Sequence, residues 1–194
     1  MLILHHAPKS RSSRILWLLE ELGADYQVNY LDILRNDGSG GPDPTNPHPL
    51  KQVPAITVDG VTIVESIMII LYLTDRYPGL APAVGDPKRA DYLGWLGLYN
   101  GVLEPVISAK FRGEVTAVQA DAYAALDRRW REVLDRAPYL LGDSFTAVDI
   151  LFGSLLQFFR AAMPQYPIYD AYLARIGERP ALAKAMTKDA KPDG

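Results

Sequence analysis

One absence bounds the chemistry open to this chain. Its 194 residues include no cysteine, so the protein supplies no thiol nucleophile, thiolate metal ligand or disulfide. Hydroxyls, carboxylates, imidazoles and cations remain. Ser10, Ser12 and Ser13 crowd the step from an apolar run into a helical pattern. By residue type a serine there is a helix N-cap. Glu65-Ser66 stands in the same relation to a later helix, with Ser66 placed to cap it. His5 and His6 are adjacent in the first apolar run, so their side chains face opposite ways and do not share one metal. His6 reads as structural, and His48, in a Pro-rich stretch, as a surface residue. No metal-ligand spacing is present. Asp149 follows Thr146 by three positions, which fits a capping box better than a catalytic acid. Arg128, Arg129 and Arg131 read as a solvated helix face.

Composition narrows the classes further. Apolar residues make up 48% and charged residues 22% of the chain, the profile of a globular protein. Lys and Arg number 20 against 23 Asp and Glu, a net charge of −3; nucleic-acid binders usually carry a basic surplus. The longest apolar run, Ile67 to Leu73, falls far short of the roughly 20 residues that cross a bilayer, and no signal-peptide pattern opens the chain. A cytoplasmic protein, active away from nucleic acid and membrane, is the expectation.

The elements that must position these residues fall into two parts. Residues 1–80 hold 6 basic and 9 acidic residues, and residues 81–194 hold 14 of each. A Pro/Gly-rich stretch from Pro78 to Pro87 separates them. In the first part, Leu2–His6 reads as a strand. Ser10–Leu22 reads as a helix with Ile15, Leu18, Leu19 and Leu22 on one face, and Gly23 is placed to end it. Tyr26–Ile33 alternates like a strand, and Asn36–Leu50 is loop-like. Ala55–Val58 and Val61–Val64 flank Asp59-Gly60, a strong hairpin signal. Ser66–Tyr77 closes the part as a helix. The second part reads as helical throughout: Asp86–Phe111, kinked at Pro105, then Val118–Ala137, an apolar Thr146–Ala162, and short helices at Pro167–Gly177 and Pro180–Lys188.

Four segments in order resemble the glutathione S-transferase family. They are His6-Ala7-Pro8-Lys9-Ser10-Arg11-Ser12-Ser13-Arg14 with the Ile15–Gly23 helix; Asn46-Pro47-His48-Pro49-Leu50-Lys51-Gln52-Val53-Pro54-Ala55-Ile56; Glu65-Ser66 with Ile70-x-Tyr72-Leu73; and Tyr139–Ile150. The resemblance covers nearly the whole chain. It implies a fold of class α/β plus all-α: a thioredoxin-like domain (β-α-β-α-β-β-α) over residues 1–79, and an all-helical domain over residues 86–194 forming the acceptor-substrate pocket. It also implies a homodimer that conjugates glutathione to a small electrophile in detoxification, with glutathione as co-substrate and no metal. A non-catalytic binding protein, or a glutathione-dependent peroxidase or isomerase, is the alternative on the same scaffold. A disulfide reductase fails for lack of cysteine.

The resemblance also implies roles. Serine-type members carry a serine four residues before an arginine, the spacing of Ser10 and Arg14, so Ser10 is the expected thiolate partner, with Ser12 and Ser13 as runners-up. The family's tyrosine and cysteine variants do not fit, since residues 1–25 lack both. Pro54 is the expected cis-proline, presenting the Val53 backbone to glutathione, with Gln52 on the glycyl side. Lys51 stands where the family often has glycine; it offers a cation to the glycyl carboxylate or points to water. Glu65 and Ser66 are expected to hold the γ-glutamyl ammonium and carboxylate. Tyr99, Phe111, Tyr166 and Tyr169 are candidates for the acceptor pocket.

Overall fold

A computed structural model of the chain describes residues 1–191. The chain divides into two compact units, Met1–Pro78 together with the segment from Glu178 onward, and Gly79–Gly177.

In the first unit, β1 (Leu2–His6) leads through a turn into α1 (Ser13–Glu21), followed by β2 (Gln27–Tyr30), β3 (Ala55–Val58), β4 (Val61–Val64) and α2 (Ser66–Arg76). The sheet order is β2-β1-β3-β4. β1 runs parallel to β2, while β3 is antiparallel to both β1 and β4. His5 pairs with Ala55, and Ala55 with Val64. That register brings the end of β1, the start of β3 and the end of β4 to one end of the sheet. This is the thioredoxin-like arrangement the resemblance implied.

Local chemistry explains the joints. Leu4, Ile15, Leu16, Leu18, Leu19, Ile56, Ile69, Ile70 and Leu73 are fully buried, each such side chain worth about 1.5–3 kcal/mol of burial. Gly23 takes a left-handed φ of 59°, and the Ala24 N–H returns to Leu19 O at 3.1 Å, closing α1. Asp59 and Gly60 both have positive φ, 48° and 86°, as a tight hairpin turn requires. The segment between β2 and β3 corrects one expectation: it holds no helix. Asp37 and Asp43 fold back on Ser39 N and Thr45 N at 3.0 and 2.8 Å, and five prolines remove helix donors. The loop-like periodicity was the better guide there than the family pattern.

The second unit holds α3 (Arg89–Leu98), a π-helical turn (Tyr99–Leu103), α4 (Glu104–Arg112), α5 (Ala117–Arg136), α6 (Ala147–Phe158), a 3₁₀ turn (Arg160–Ala162) and α7 (Pro167–Gly177). Pro105 has no N–H to offer the preceding turn, and the ladder widens just before it instead of breaking. Phe152 sits at the centre, edge-on to Trp95, Tyr99 and Trp130 at centroid distances of 5.3, 5.5 and 4.9 Å. Asp149 is wholly buried and accepts from Thr146 N, Leu140 N and the Tyr172 hydroxyl, each at 2.9 Å. It is a cap, and burial pushes its carboxyl up to about 6. The arginine run lies on the solvated side of α5 as expected, with Arg128 and Arg129 exposed; Arg129 also lies over the Trp95 ring at 5.0 Å, and Arg131 pairs with Asp127 at 3.0 Å.

The last helix, α8 (Pro180–Asp189), belongs to the first unit. It packs along α1 through buried Leu182 and Ala185. Arg179 donates twice to the Glu21 carboxylate, both at 2.6 Å, and Tyr30 OH donates to Lys188 O at 2.8 Å. The expected helical domain at 86–194 is corrected accordingly: its final helix crosses to the sheet unit, and residues 192–194 lie outside the described residues. Among the described residues no helix is long and apolar enough to cross a membrane.

Candidate active site

The turn between β1 and α1 gathers the three serines. Ser12 is fully buried, and its hydroxyl lies 2.7 Å from His6 Nδ1 and 2.7 Å from Ser10 Oγ. Ser10, half-buried, also lies 2.7 Å from Ala7 O and accepts the Ser12 N–H at 3.1 Å. Ser13 donates to the Asp189 carboxylate and accepts Ser10 N–H at 3.3 Å. Helix α1 starts at Ser13, and Ser12 stands at its N-cap position with no side-chain cap bond. The simple capping reading of these serines is therefore corrected: their hydroxyls bond to each other, to His6 and to Asp189. Ser10 is the half-exposed member whose hydroxyl is not committed to a carboxylate.

His6 is fully buried at the end of β1. Its Nε2 lies 3.1 Å from Asp189 O and 3.6 Å from the Asp189 carboxylate. Burial lowers its pKa, opposed by Asp189. His5 points the other way, to Thr57 Oγ1 at 2.9 Å and Asn29 Nδ2 at 3.1 Å, a structural pairing in the sheet.

A second group stands at the same end of the sheet. The Val53–Pro54 peptide is cis. Val53 joins Ala7 and Leu31 in a small buried apolar cluster, with Ile33 packed against it. Asn46 Nδ2 holds Gln52 O at 3.0 Å, leaving the Gln52 side chain at the surface. Lys51 is tied to its own loop. Its ammonium donates to Asn46 O at 2.7 Å and Pro44 O at 3.3 Å, fastening its own loop. His48 is also corrected: it is 3% exposed, accepts Leu50 N–H through Nδ1 at 3.1 Å, and sets Nε2 4.0 Å from Glu65 Oε1. The Asn46 side chain turns it inward by accepting His48 N–H at 2.9 Å.

Glu65 and Ser66 complete this end. Glu65 has φ 70°, an uncommon conformation for a residue with a Cβ, and its carboxylate is 65% exposed. Strained backbone of this kind clusters at ligand sites. Ser66 is the first residue of α2, so its N–H and hydroxyl stand at a helix N-terminus; Glu65, not Ser66, holds the cap position. Together these positions offer a hydroxyl, a backbone edge, an acid and a helix end to one extended polar ligand.

The acceptor candidates separate. Tyr99 and Tyr169 are buried in the core of the helical unit, bonded to Glu104 Oε2 at 2.5 Å and Asp127 Oδ1 at 2.7 Å. Both rings pack in the aromatic core, Tyr99 against Phe152 and Tyr169 against Trp130. Phe111 is 56% exposed beside Phe159, and Tyr166 is 37% exposed. Among the described residues no group of three or more His, Asp or Glu forms a metal site. Asp189 was missed from the sequence. Nothing local signals that a residue so far along the chain closes on the serine turn.

Comparison with known proteins bears on this site as a whole. Family models described as the N-terminal and the C-terminal domain of glutathione S-transferase match residues 1–75 and 112–175. The chain is 30% identical over 191 residues to glutathione S-transferase 3 of Schizosaccharomyces pombe, covering 93% of this chain and 78% of that protein. It is similar to the crystal structure of a glutathione S-transferase from Actinobacillus pleuropneumoniae, with TM-score 0.81 and 27% identity over 97% of this chain and 93% of that one. It is also similar to a sphingomonad glutathione S-transferase complexed with glutathione, with TM-score 0.76 and 27% identity over 96% and 98% of the two chains.

Proposed function

The chain belongs to the glutathione S-transferase family, and from that premise we propose that it binds glutathione on its first unit, holds the thiol as thiolate at Ser10, and adds it to a small electrophile. The observation that carries the reading is the register that brings the serine turn, Val53–Pro54 and Glu65-Ser66 to one end of one sheet. Glutathione is a tripeptide with a carboxylate and an ammonium at one end, a thiol in the middle and a carboxylate at the other. Ser66 and the α2 N-terminus suit the γ-glutamyl carboxylate, and Glu65 suits the ammonium. The backbone of Val53 suits the cysteinyl amide in the manner of an added strand.

A free thiol with pKa about 8.5 is only a few per cent thiolate at neutral pH. The Ser10 hydroxyl and the N-terminus of α1 both favour the charged sulfur, and each pKa unit of depression corresponds to about 1.4 kcal/mol. The exposed Phe111 and Tyr166 are the acceptor-binding candidates that survive. Glutathione chemistry and the lack of cysteine both fit a reducing cytoplasm, and a homodimer remains part of the reading. The test is direct. Wild type is retained on immobilised glutathione, and Ser10→Ala lowers kcat/KM for conjugation about 10- to 100-fold, the worth of one hydrogen bond to a charged group. Unchanged kcat/KM in Ser10→Ala would remove Ser10 from the mechanism, and wild type that is not retained would remove glutathione.

A further inference from the structure

The serine turn contains more than a thiolate donor needs. Behind Ser10 runs an unbroken line of short contacts: Ser10 Oγ to Ser12 Oγ at 2.7 Å, and Ser12 Oγ to His6 Nδ1 at 2.7 Å. Ser12 and His6 are both fully buried. The far side of the ring fixes the direction of the line. His6 Nε2 lies 3.1 Å from Asp189 O, and a carbonyl only accepts, so Nε2 carries the hydrogen in the neutral ring. Nδ1 then presents a lone pair and accepts from the Ser12 hydroxyl. Ser12 in turn accepts Ala7 N–H at 3.2 Å and is one of two acceptors for the Ser10 hydrogen, the other being Ala7 O, which lies 2.7 Å from Ser10 Oγ and 3.2 Å from Ser12 Oγ. In this state the Ser10 hydrogen goes to Ser12 or to Ala7 O, and Ser10 Oγ, which accepts Ser12 N–H at 3.1 Å, keeps one lone pair for a ligand proton.

We propose that His6 is where the thiol proton of bound glutathione comes to rest, delivered through Ser10 and Ser12. The proposal rests on the reading that Ser10 meets the thiol. The transfer balances atom by atom. The S–H proton passes to Ser10 Oγ as the Ser10 proton passes to Ser12 Oγ and the Ser12 proton passes to His6 Nδ1. Both serines end neutral, the sulfur keeps the bonding pair as thiolate, and the ring becomes imidazolium. The hydroxyls have now reversed. Nδ1–H donates to Ser12, Ser12 donates to Ser10, and Ser10 donates outward to the thiolate. Proton uptake by His6 and a donor aimed at sulfur are thus one event. His6 touches no substrate; it is a positioning residue acting through the two hydroxyls.

The surroundings of the ring suit a base that is empty before ligand binds. Burial holds His6 below its ordinary pKa, so it is neutral near pH 7 in the free protein. From α8 the Asp189 carbonyl and carboxylate face Nε2 and favour the charged ring. From β2 the Tyr30 ring meets it edge-on at 5.6 Å, with its hydroxyl turned to Lys188 O. From β1 the neighbouring His5 faces the opposite side, bonded to Thr57 and Asn29. Lys9 reaches the Asp189 carboxylate through its backbone N–H at 3.0 Å, and Ser13 through its hydroxyl. A thiolate formed at Ser10 adds a negative charge at the other end of the line, raising the proton affinity of the imidazole when it is needed.

The experiment follows two signals as glutathione binds: the ultraviolet absorbance of thiolate, and protons released into weakly buffered solution. Wild type is expected to form thiolate near neutral pH while releasing well under one proton per thiolate. His6→Asn keeps an acceptor for Ser12 but cannot hold the proton. It is expected to bind glutathione within about twofold of wild type, to raise the bound thiol pKa by about one unit, a tenfold smaller thiolate fraction, and to release about one proton for each thiolate formed. If His6→Asn does not fold, Ser12→Ala breaks the same line in the middle with both ends intact, and the same shifts are expected. A wild type that releases a full proton per thiolate overturns the proposal, as do variants with the wild-type titration. Ser10→Ala separates the levels. If it loses the thiolate while the His6 and Ser12 variants behave as wild type, the proton relay falls and the role of Ser10 stands. If it forms thiolate as wild type does, both fall together.

Discussion

At the scale of single residues, the site is a set of groups whose partners decide what they can do. Ser10, Ser12 and Ser13 are chemically identical, and the structure separates them by contact. Ser13 is spent on Asp189, Ser12 is sealed between His6 and Ser10, and Ser10 is half-buried, in contact with Ser12 and Ala7 O. Spacing could nominate this trio but could not rank it from residue types, because the ranking depends on a carboxylate contributed by a distant helix. Glu65 has no such ambiguity. Its carboxylate is exposed, and it is the acid proposed for the γ-glutamyl ammonium. Glu65→Gln is expected to weaken glutathione binding by about 1.5–3 kcal/mol, the worth of a hydrogen bond involving a charge, read by titration calorimetry. An unchanged Kd would take Glu65 out of the binding set. Lys51, by contrast, is committed to Asn46 O and Pro44 O. Lys51→Ala is expected to loosen its loop, seen as faster amide exchange at Asn46–Gln52. Unaltered exchange there would show that the ammonium does not hold the loop.

At the scale of elements, periodicity and turn chemistry carried most of the fold. The Asp59-Gly60 hairpin and the Pro167–Gly177 helix fall where the pattern put them, because both are written in local residues. What escaped was non-local. Tyr99 and Tyr169 have the composition of pocket residues, and only the packing of α6 against α5 and α7 shows them to be core. His48 lies in a stretch that reads as surface, and a single Asn46 side chain folds it in. Asp149 shows the opposite case, a capping acid legible from Thr146-x-x-Asp149 whose cost is visible only in the structure. Its carboxyl, raised from 3.8 to about 6, contributes stability that is complete below about pH 4 and lost as pH rises through about 6. The stability gap between wild type and Asp149→Asn should therefore narrow across that window in urea titrations at stepped pH. A gap independent of pH would mean the carboxyl titrates normally. Asp149→Ala, which strips four buried donors of their acceptor, is expected to cost about 3 kcal/mol or more.

At the scale of the whole molecule, the Pro/Gly-rich stretch from Pro78 to Pro87 marked where the chain leaves the sheet unit, and nothing in the composition marked its return. Helix α8 looks like its helical neighbours in sequence, yet it closes on α1 through Arg179–Glu21 and on the serine turn through Asp189. Removing residues from Glu178 onward should therefore abolish retention on glutathione and lower Tm by several degrees, although every residue expected to touch glutathione is still present. Retention and Tm equal to the full chain would show that α8 is dispensable to the sheet unit. The return of α8 also sets a clock on the newborn protein. Synthesis runs from the N-terminus at about 5–20 residues per second, so the serine turn emerges early while Asp189 is made after the entire helical unit. Until α8 has emerged, the growing chain carries the serine turn without the group that contacts His6 and Ser13, so that turn can close only after the helical unit has been made.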